Sequence, residues 1–189
     1  MNANRMRHLL TPLTAIFIVL AAADAAANEV SVEAHREGEA VLVEARAALH
    51  VDLATAWDVL TGYDRYAEFI PDLTSSRVLS RSGSEVVVEQ KGQLAFLVFR
   101  LPVEVTMNVS ERPRTGINSR AVAGTFREMT GSYTLAQAGD DLQLTYSGRM
   151  VPRFGLLSLM GTAAVKAAVE KQFGALVREM QTRAAEPEK

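Results

Sequence analysis

Cysteine is absent from the 189 residues. Its absence removes disulfides, thiolate metal sites and any lipid-bearing thiol behind a leader. Basic blocks are missing too: 20 Lys and Arg are spread among 22 Asp and Glu, for a net charge of -2. Nucleic acid is therefore not an expected partner. Neither GxGxxG nor GxxxxGK followed by Ser or Thr occurs, so there is no nucleotide fingerprint. Histidine is scarce, at three. His35 falls in a polar stretch and His50 on the solvent side of an alternating one. A triad or a two-His metal site needs them beside a nucleophile or carboxylate, and their spacing offers neither. Asp140-Asp141 reads as a turn rather than a carboxylate pair. These residues predict no catalytic group, no metal site and no cofactor.

Apolar residues, by contrast, make up 48% and charged residues 22%. That suffices for a core and argues against global disorder. The opening residues stand apart. Arg5, Arg7 and His8 give a basic start, Leu9 to Ala23 follow without a charge, and Ala25-Ala26-Ala27 offers small residues for cleavage. This is the three-part pattern of a secretory signal over 1–27. Its apolar run is shorter than a spanning helix, which takes about 20 residues. A periplasmic or secreted location is expected after cleavage; an uncleaved anchor is the alternative.

Residues 28–38 are polar and read as a lead-in. From Ala40 the period is two. Val41, Val43, Ala45, Ala47, Leu49 and Val51 share one face, and Glu44, Arg46 and His50 the other. That is a strand with one wet side. Asp52 then caps a helix over LATAWDVLTG that buries Ala56, Leu60 and Trp57. Gly62 ends it, and a second short helix over 63–69 stops before Pro71. Strands follow at 76–81 and 85–91 around Ser82-Gly83-Ser84, then at 94–100. Val103, Val105, Met107 and Val109 form one face of the next, and 117–126, 128–136 and 142–150 complete the series. Helices confined to the ends of a strand series favour an α+β fold. In the last helix, Gly155 to Arg183, Val165, Val169, Phe173, Leu176 and Met180 line one side. Such a helix needs a concave apolar surface, which a twisted sheet provides. Residues 184–189 are expected to be a disordered tail.

At Ala56 to Leu79, AWDVLTGYDRYAEFIPDLTSSRVL, the sequence resembles the START-like (SRPBCC, helix-grip) superfamily. More narrowly it is similar to the polyketide cyclase/dehydrase and coenzyme Q-binding branch. There a W-x-V-L-x-x-Y-x-x-Y-x-x-F-x-P run follows the first strand. Trp57, Val59, Leu60, Tyr63, Tyr66, Phe69 and Pro71 stand at the matching positions. The resemblance covers 39–183 and implies a helix-grip fold. That is a curved antiparallel sheet of about seven strands wrapped on a long C-terminal helix, with two short helices after the first strand. It implies a lipid, quinone, sterol or polyketide-like ligand and does not by itself imply an activity. The branch usually acts inside cells, and the export signal departs from that.

Strand parity and helix phase make Val105, Met107, Tyr133, Tyr146, Phe154 and Phe173 candidate cavity lining; Tyr66 and Phe69, spaced three apart with Tyr63, are either core or the rim of the cavity, and Met160 joins the candidates from the apolar entry to the last helix. Trp57 reads as a packing anchor. Arg100 and Arg149 end apolar strands; each is either a surface group or a clamp for an acidic head group. Phe154 to Met160 is apolar on too many faces for a surface helix. It reads as a turn covered by loops, or as a gate or membrane-touching tip pivoting at Gly161. Three functions remain open. The first is an exported protein that sequesters or carries a hydrophobic small molecule of the lipid, quinone or isoprenoid class, with transient membrane contact through Phe154-Met160. The second is a cyclase/dehydrase-type enzyme, which needs a titratable group in the cavity, such as a close Glu104–Arg120 pair. The third is a protein-interaction module whose cavity its own side chains fill.

Overall fold

The structure, a computed structural model, describes residues 30–96, 99–153 and 156–186; the side chains of 95, 96, 99, 152 and 156–160 are outside that description. The expected signal at 1–27, Phe154 and the side chain of Met160 thus lie outside the described residues.

Among the described residues there are eight strands: Ser31–Glu37 (β1), Ala40–Leu49 (β2), Leu73–Ser82 (β3), Glu85–Phe96 (β4), Phe99–Arg112 (β5), Gly116–Gly124 (β6), Phe126–Ala138 (β7) and Asp141–Pro152 (β8). They form one antiparallel sheet in the order β1-β2-β8-β7-β6-β5-β4-β3. From β3 to β8 every strand pairs with its sequence neighbour, so short turns dictate the order. Only the step from β2 to β3 must cross between opposite parts of the sheet. Helix α1 (Leu53–Thr61), a 3-10 turn (Tyr63–Arg65) and helix α2 (Tyr66–Phe69) make that crossing. Helix α3, Leu156–Ala185, then packs against β1, β2 and α1 and touches β4 and α2. The fold is α+β and helix-grip in kind.

Local chemistry accounts for these elements. On β2, Val41, Val43, Ala45, Ala47 and Leu49 are buried, as their alternation predicts. At α1, the Thr55 amide donates to Asp52 Oδ1 at 2.8 Å and its hydroxyl to Oδ2 at 2.5 Å. These two bonds cap the helix and hold the Asp52 carboxyl below its ordinary range. Ile70, before Pro71, is extended with ψ 115, which ends α2.

Three expectations are corrected. The polar lead-in is a strand, because β1 pairs with β2 from Ser31↔Arg46 to Glu37↔Ala40 and buries Val32. Its alternation is hidden because an edge strand keeps most side chains wet, and its charges blunt that edge. The sheet therefore has eight strands, and the short helices follow the second. The apolar run 94–100 is not one strand but the two sides of a hairpin tip, with Phe96 opposite Phe99. Pro102 is tolerated because β5 pairs with β6 only from Val105 onward. Finally, α3 runs to Ala185, past the predicted start of the tail.

Register shifts at Thr74, Leu79, Val122 and Arg127 mark bulges. An extra residue in one strand sharpens the local twist and falls out of the inside-outside alternation. That is why Leu79 and Val122, at 50% and 55% exposure, are large apolar residues facing water.

Helix α3 buries Phe173, Leu176, Val177 and Met180. It is broken at Gly161, whose φ of 66 and ψ of 172 fall in a region open essentially to glycine alone. A Cβ there would meet nothing within 4 Å, so substitution tests the backbone and not packing. Gly161→Ala is expected to lose roughly 1–3 kcal/mol in urea unfolding with an unchanged m-value. Unchanged stability would show that the break is not maintained.

Candidate ligand cavity

The concave face of β4 to β8, the α1–α2 crossing and α3 enclose a cavity of about 190 Å³. Val88 and Gln90 of β4, Val105, Met107 and Val109 of β5, and Ile117 and Ser119 of β6 wall it on one side. Phe126, Met129 and Tyr133 of β7, Tyr146 and Met150 of β8, and Gln172 and Leu176 of α3 continue the wall. Tyr63, Tyr66 and Ile70 close it from the crossing. All four tyrosines of the chain thus face one cavity.

Two of those tyrosines are structural ties. Tyr66 donates to the Leu60 carbonyl at 2.6 Å, binding α2 back onto α1. Tyr63 donates to Glu111 Oε1 at 3.0 Å, and Arg81 Nη1 reaches both Glu111 oxygens at 3.0 and 2.8 Å. The Glu111 side chain is 9% exposed and that of Arg81 43%, so the ion pair joins β3, β5 and the crossing with its guanidinium end in water. The Arg81 guanidinium also lies 5.9 Å from the Tyr63 ring centre.

The other two stand on a notch in the sheet. Gly131 of β7 and Gly148 of β8 are directly opposite each other. A Cβ on Gly148 would lie 2.4 Å from the Tyr146 hydroxyl, and one on Gly131 would lie 3.2 Å from the Tyr146 ring. The Tyr146 ring therefore folds back along its own strand into space that only glycines leave. Tyr133 stands 4.7 Å from it, centroid to centroid, and Phe173 of α3 stacks on Tyr133 at 6.4 Å. A wall of three rings thus runs from helix to sheet. Burial pushes the Tyr146 phenol up to about 12 and raises Tyr63, Tyr66 and Tyr133 as well; beside Tyr63 the Glu111 charge adds to burial.

At the mouth, Lys171 of α3 bonds Asp72 at 2.5 Å, and the Gln93 amide bonds the Asp72 carbonyl at 2.8 Å. Asp72 has φ 65, and a Cβ on its neighbour Gly92 would lie 2.4 Å from its carbonyl oxygen. The helix is thus tied to the β3–β4 edge through a residue in a left-handed conformation.

The candidate lining residues separate into three groups. Tyr66, Val105, Met107, Tyr133 and Tyr146 line the cavity. Phe69 packs edge-on against Tyr66 at 5.7 Å, and Phe173, at 1% exposure, backs Tyr133; neither reaches the cavity wall. Phe154 and the Met160 side chain are outside the described residues. Met129 shares the parity of Tyr133 and lines the cavity with it, whereas Phe126 escapes strand parity because the bulge at Arg127 resets β7. Glu104 pairs with Lys91 at 3.3 Å, and Arg120 lies on the opposite face, so the acid–base pair that a cyclase reading required does not form. Arg149, also on the opposite face, pairs with Glu128 at 3.3 Å, and Arg100 is exposed; neither meets the cavity. His35 is on the opposite face, and His50 lies 3.7 Å from Asp141 with its side chain 82% exposed.

That opposite face carries a larger depression of about 600 Å³. It is the more open of the two, and its lining residues are mostly polar or charged and partly bonded to one another, as in Ser132 to Asn118 at 2.9 Å. The smaller cavity offers the apolar enclosure that small-molecule sites share.

The family model described as polyketide cyclase/dehydrase and lipid transport matches residues 49–181. None of the curated proteins matches the sequence. Among solved structures, an aromatase/cyclase from Streptomyces sp. R1128 is similar with a TM-score of 0.63 and 19% identity, over 77% of this chain and 93% of that one. A STAR-related lipid transfer protein from Xanthomonas axonopodis follows with a TM-score of 0.62 and 13% identity, over 80% and 93%. A protein from Thermus thermophilus gives 0.66 and 13%, over 76% and 99%. At these identities the likeness is one of fold.

Two outcomes are expected of the aromatic wall. Gly148→Ala should drive Tyr146 from its notch, visible as a changed near-ultraviolet circular dichroism signal with intact far-ultraviolet signal; an unaltered near-ultraviolet spectrum would show that the ring is not seated there. The raised phenols also set an alkaline limit. Above the ordinary phenol value of 10.0 the unfolded chain loses protons that the folded chain keeps. Stability is therefore fully present below about pH 10 and falls as pH rises toward the folded values. Phenolate absorbance should rise together with loss of the fold; phenols ionising near pH 10 in an intact fold would contradict this.

Proposed function

We propose that this chain, which belongs to the polyketide cyclase/dehydrase and lipid transport family, is an exported binding protein that sequesters or carries a hydrophobic small molecule of the lipid, quinone or isoprenoid class. The observation that carries the reading is the composition of the cavity. Its wall is mostly aliphatic and aromatic, and among the described residues the titratable ones along it are four tyrosines, Asp72 and Lys91. Asp72 is tied to Lys171 and Lys91 to Glu104, so neither acts as a free acid or base within it. Apolar burial then supplies affinity at about 25 cal/mol per Å². A few polar groups supply orientation.

Size narrows the occupant. Small-molecule sites span roughly 300–1,000 Å³, and an apolar cavity of roughly 150 Å³ takes up benzene. At about 190 Å³, the cavity suits a one- or two-ring compound or the end of a longer chain. A larger ligand requires the mouth at Asp72–Lys171 to open. The lipid transfer protein among the structural relatives supports a carrier reading. The basic, apolar and small-residue pattern of residues 5–27 supports export.

Protein recovered from the exported compartment and extracted for mass spectrometry is expected to release an apolar compound. Its mature N-terminus is expected near Asn28. An empty cavity together with no binding across a lipid panel would overturn the reading in favour of an interaction module.

A further inference from the structure

The four tyrosine hydroxyls of the cavity do not have equal standing. Tyr63 is bonded to Glu111 and Tyr66 to the Leu60 carbonyl. The hydroxyls of Tyr133 and Tyr146 make no hydrogen bond to any described residue, although Tyr146 is only 8% exposed. A buried phenol ordinarily finds a partner, since leaving it without one costs about 1–3 kcal/mol. Among the described residues the one sealed side-chain atom without a partner is Arg183 Nη2. Neither phenol oxygen is among the sealed atoms left without a partner, and both residues line the cavity.

Their placement is built. The rings stand opposite each other in register, Tyr133↔Tyr146, with centroids 4.7 Å apart. Phe173 fixes Tyr133 from behind, and the Gly131–Gly148 notch fixes Tyr146 from below. We propose that the hydroxyls of Tyr133 and Tyr146 form a hydrogen-bonding subsite for the carbonyl oxygen of a neutral apolar ligand, an inference that rests on the cavity being a ligand site.

The chemistry selects that group. Both phenols stay protonated near neutral pH and so present donors. A carbonyl oxygen has two lone pairs and accepts from two donors at once. A carboxylate or phosphate is disfavoured, because the cation among the described lining residues, Lys91, directs its ammonium to Glu104 at 3.3 Å and Glu89 at 4.0 Å, neither of which lines the cavity. An unpaired anion would lose its hydration without a countercharge. A pure hydrocarbon would fill the space but leave both donors unmet.

The test uses two probes of one shape, tetralin and its ketone 1-tetralone, with binding by calorimetry and the infrared carbonyl stretch of the bound ketone. The ketone is expected to bind about tenfold tighter than the hydrocarbon. Its stretch should fall on binding. In Tyr133→Phe/Tyr146→Phe, which keeps both rings, the preference and the lowered stretch should vanish while tetralin binds as before. Tetralin binding thus reports that the cavity is intact, and should the double variant lose it, the single Phe variants decide by the same readouts. Equal binding of the two probes, or a stretch that the variants do not move, overturns the subsite and leaves the cavity reading standing. If neither probe binds the wild-type chain, the cavity reading fails and the subsite falls with it.

Discussion

Everything in this molecule depends on how one helix seats on a curved sheet. Phe173, Leu176 and Met180 of α3 are at most 2% exposed, and they bury against strands whose inward residues are as completely covered. Neither partner would hold alone: the helix has one apolar stripe, and the sheet has one apolar face. A single helix cannot fill the concavity of a sheet bent by four bulges. The space left over, walled by Val105, Met107 and Leu176, is the cavity. It follows from the packing geometry rather than being added to it.

The cavity's character is set by which side chains project into what the helix leaves open. Two opposed glycines are a weakness in a strand pair, since they contribute no side chain to packing. Here the missing volume is filled by Tyr146 from the adjacent register position, and Tyr133 is pressed onto it by Phe173. The same arrangement that repairs the sheet leaves two phenol oxygens without a partner among the described residues. Packing and recognition are thus carried by the same two rings.

Much of this was legible in the sequence where periodicity is local. The alternation from Val41 to Leu49, the Asp52 cap and the stop before Pro71 each depend on neighbours within a few residues, and each appears as read. The run from Trp57 to Pro71 pointed to the fold because it encodes the crossing between the two parts of the sheet. What escaped was non-local or lay on a single face. Strand β1 is recognisable only once β2 is there to pair with it. The Tyr63–Glu111–Arg81 tie joins residues 48 and 30 positions apart. Parity puts Val105, Met107, Tyr133 and Tyr146 inward, but inward-facing includes both core and cavity, and Phe173 packs behind Tyr133 rather than on the wall. The glycine notch leaves no signal at all until the register of β7 and β8 is known.

That last distinction bears on function. In a family whose name joins cyclisation with lipid transport, one fold serves both chemistry and carriage. The difference lies in whether a group able to exchange protons faces the cavity. Here burial raises the phenols further above the neutral range, Asp72 is tied to Lys171 of the helix, and Glu111 is occupied by Arg81 and Tyr63. The phenols can orient a ligand by donating hydrogen bonds, while the paired carboxylates are already occupied as acceptors.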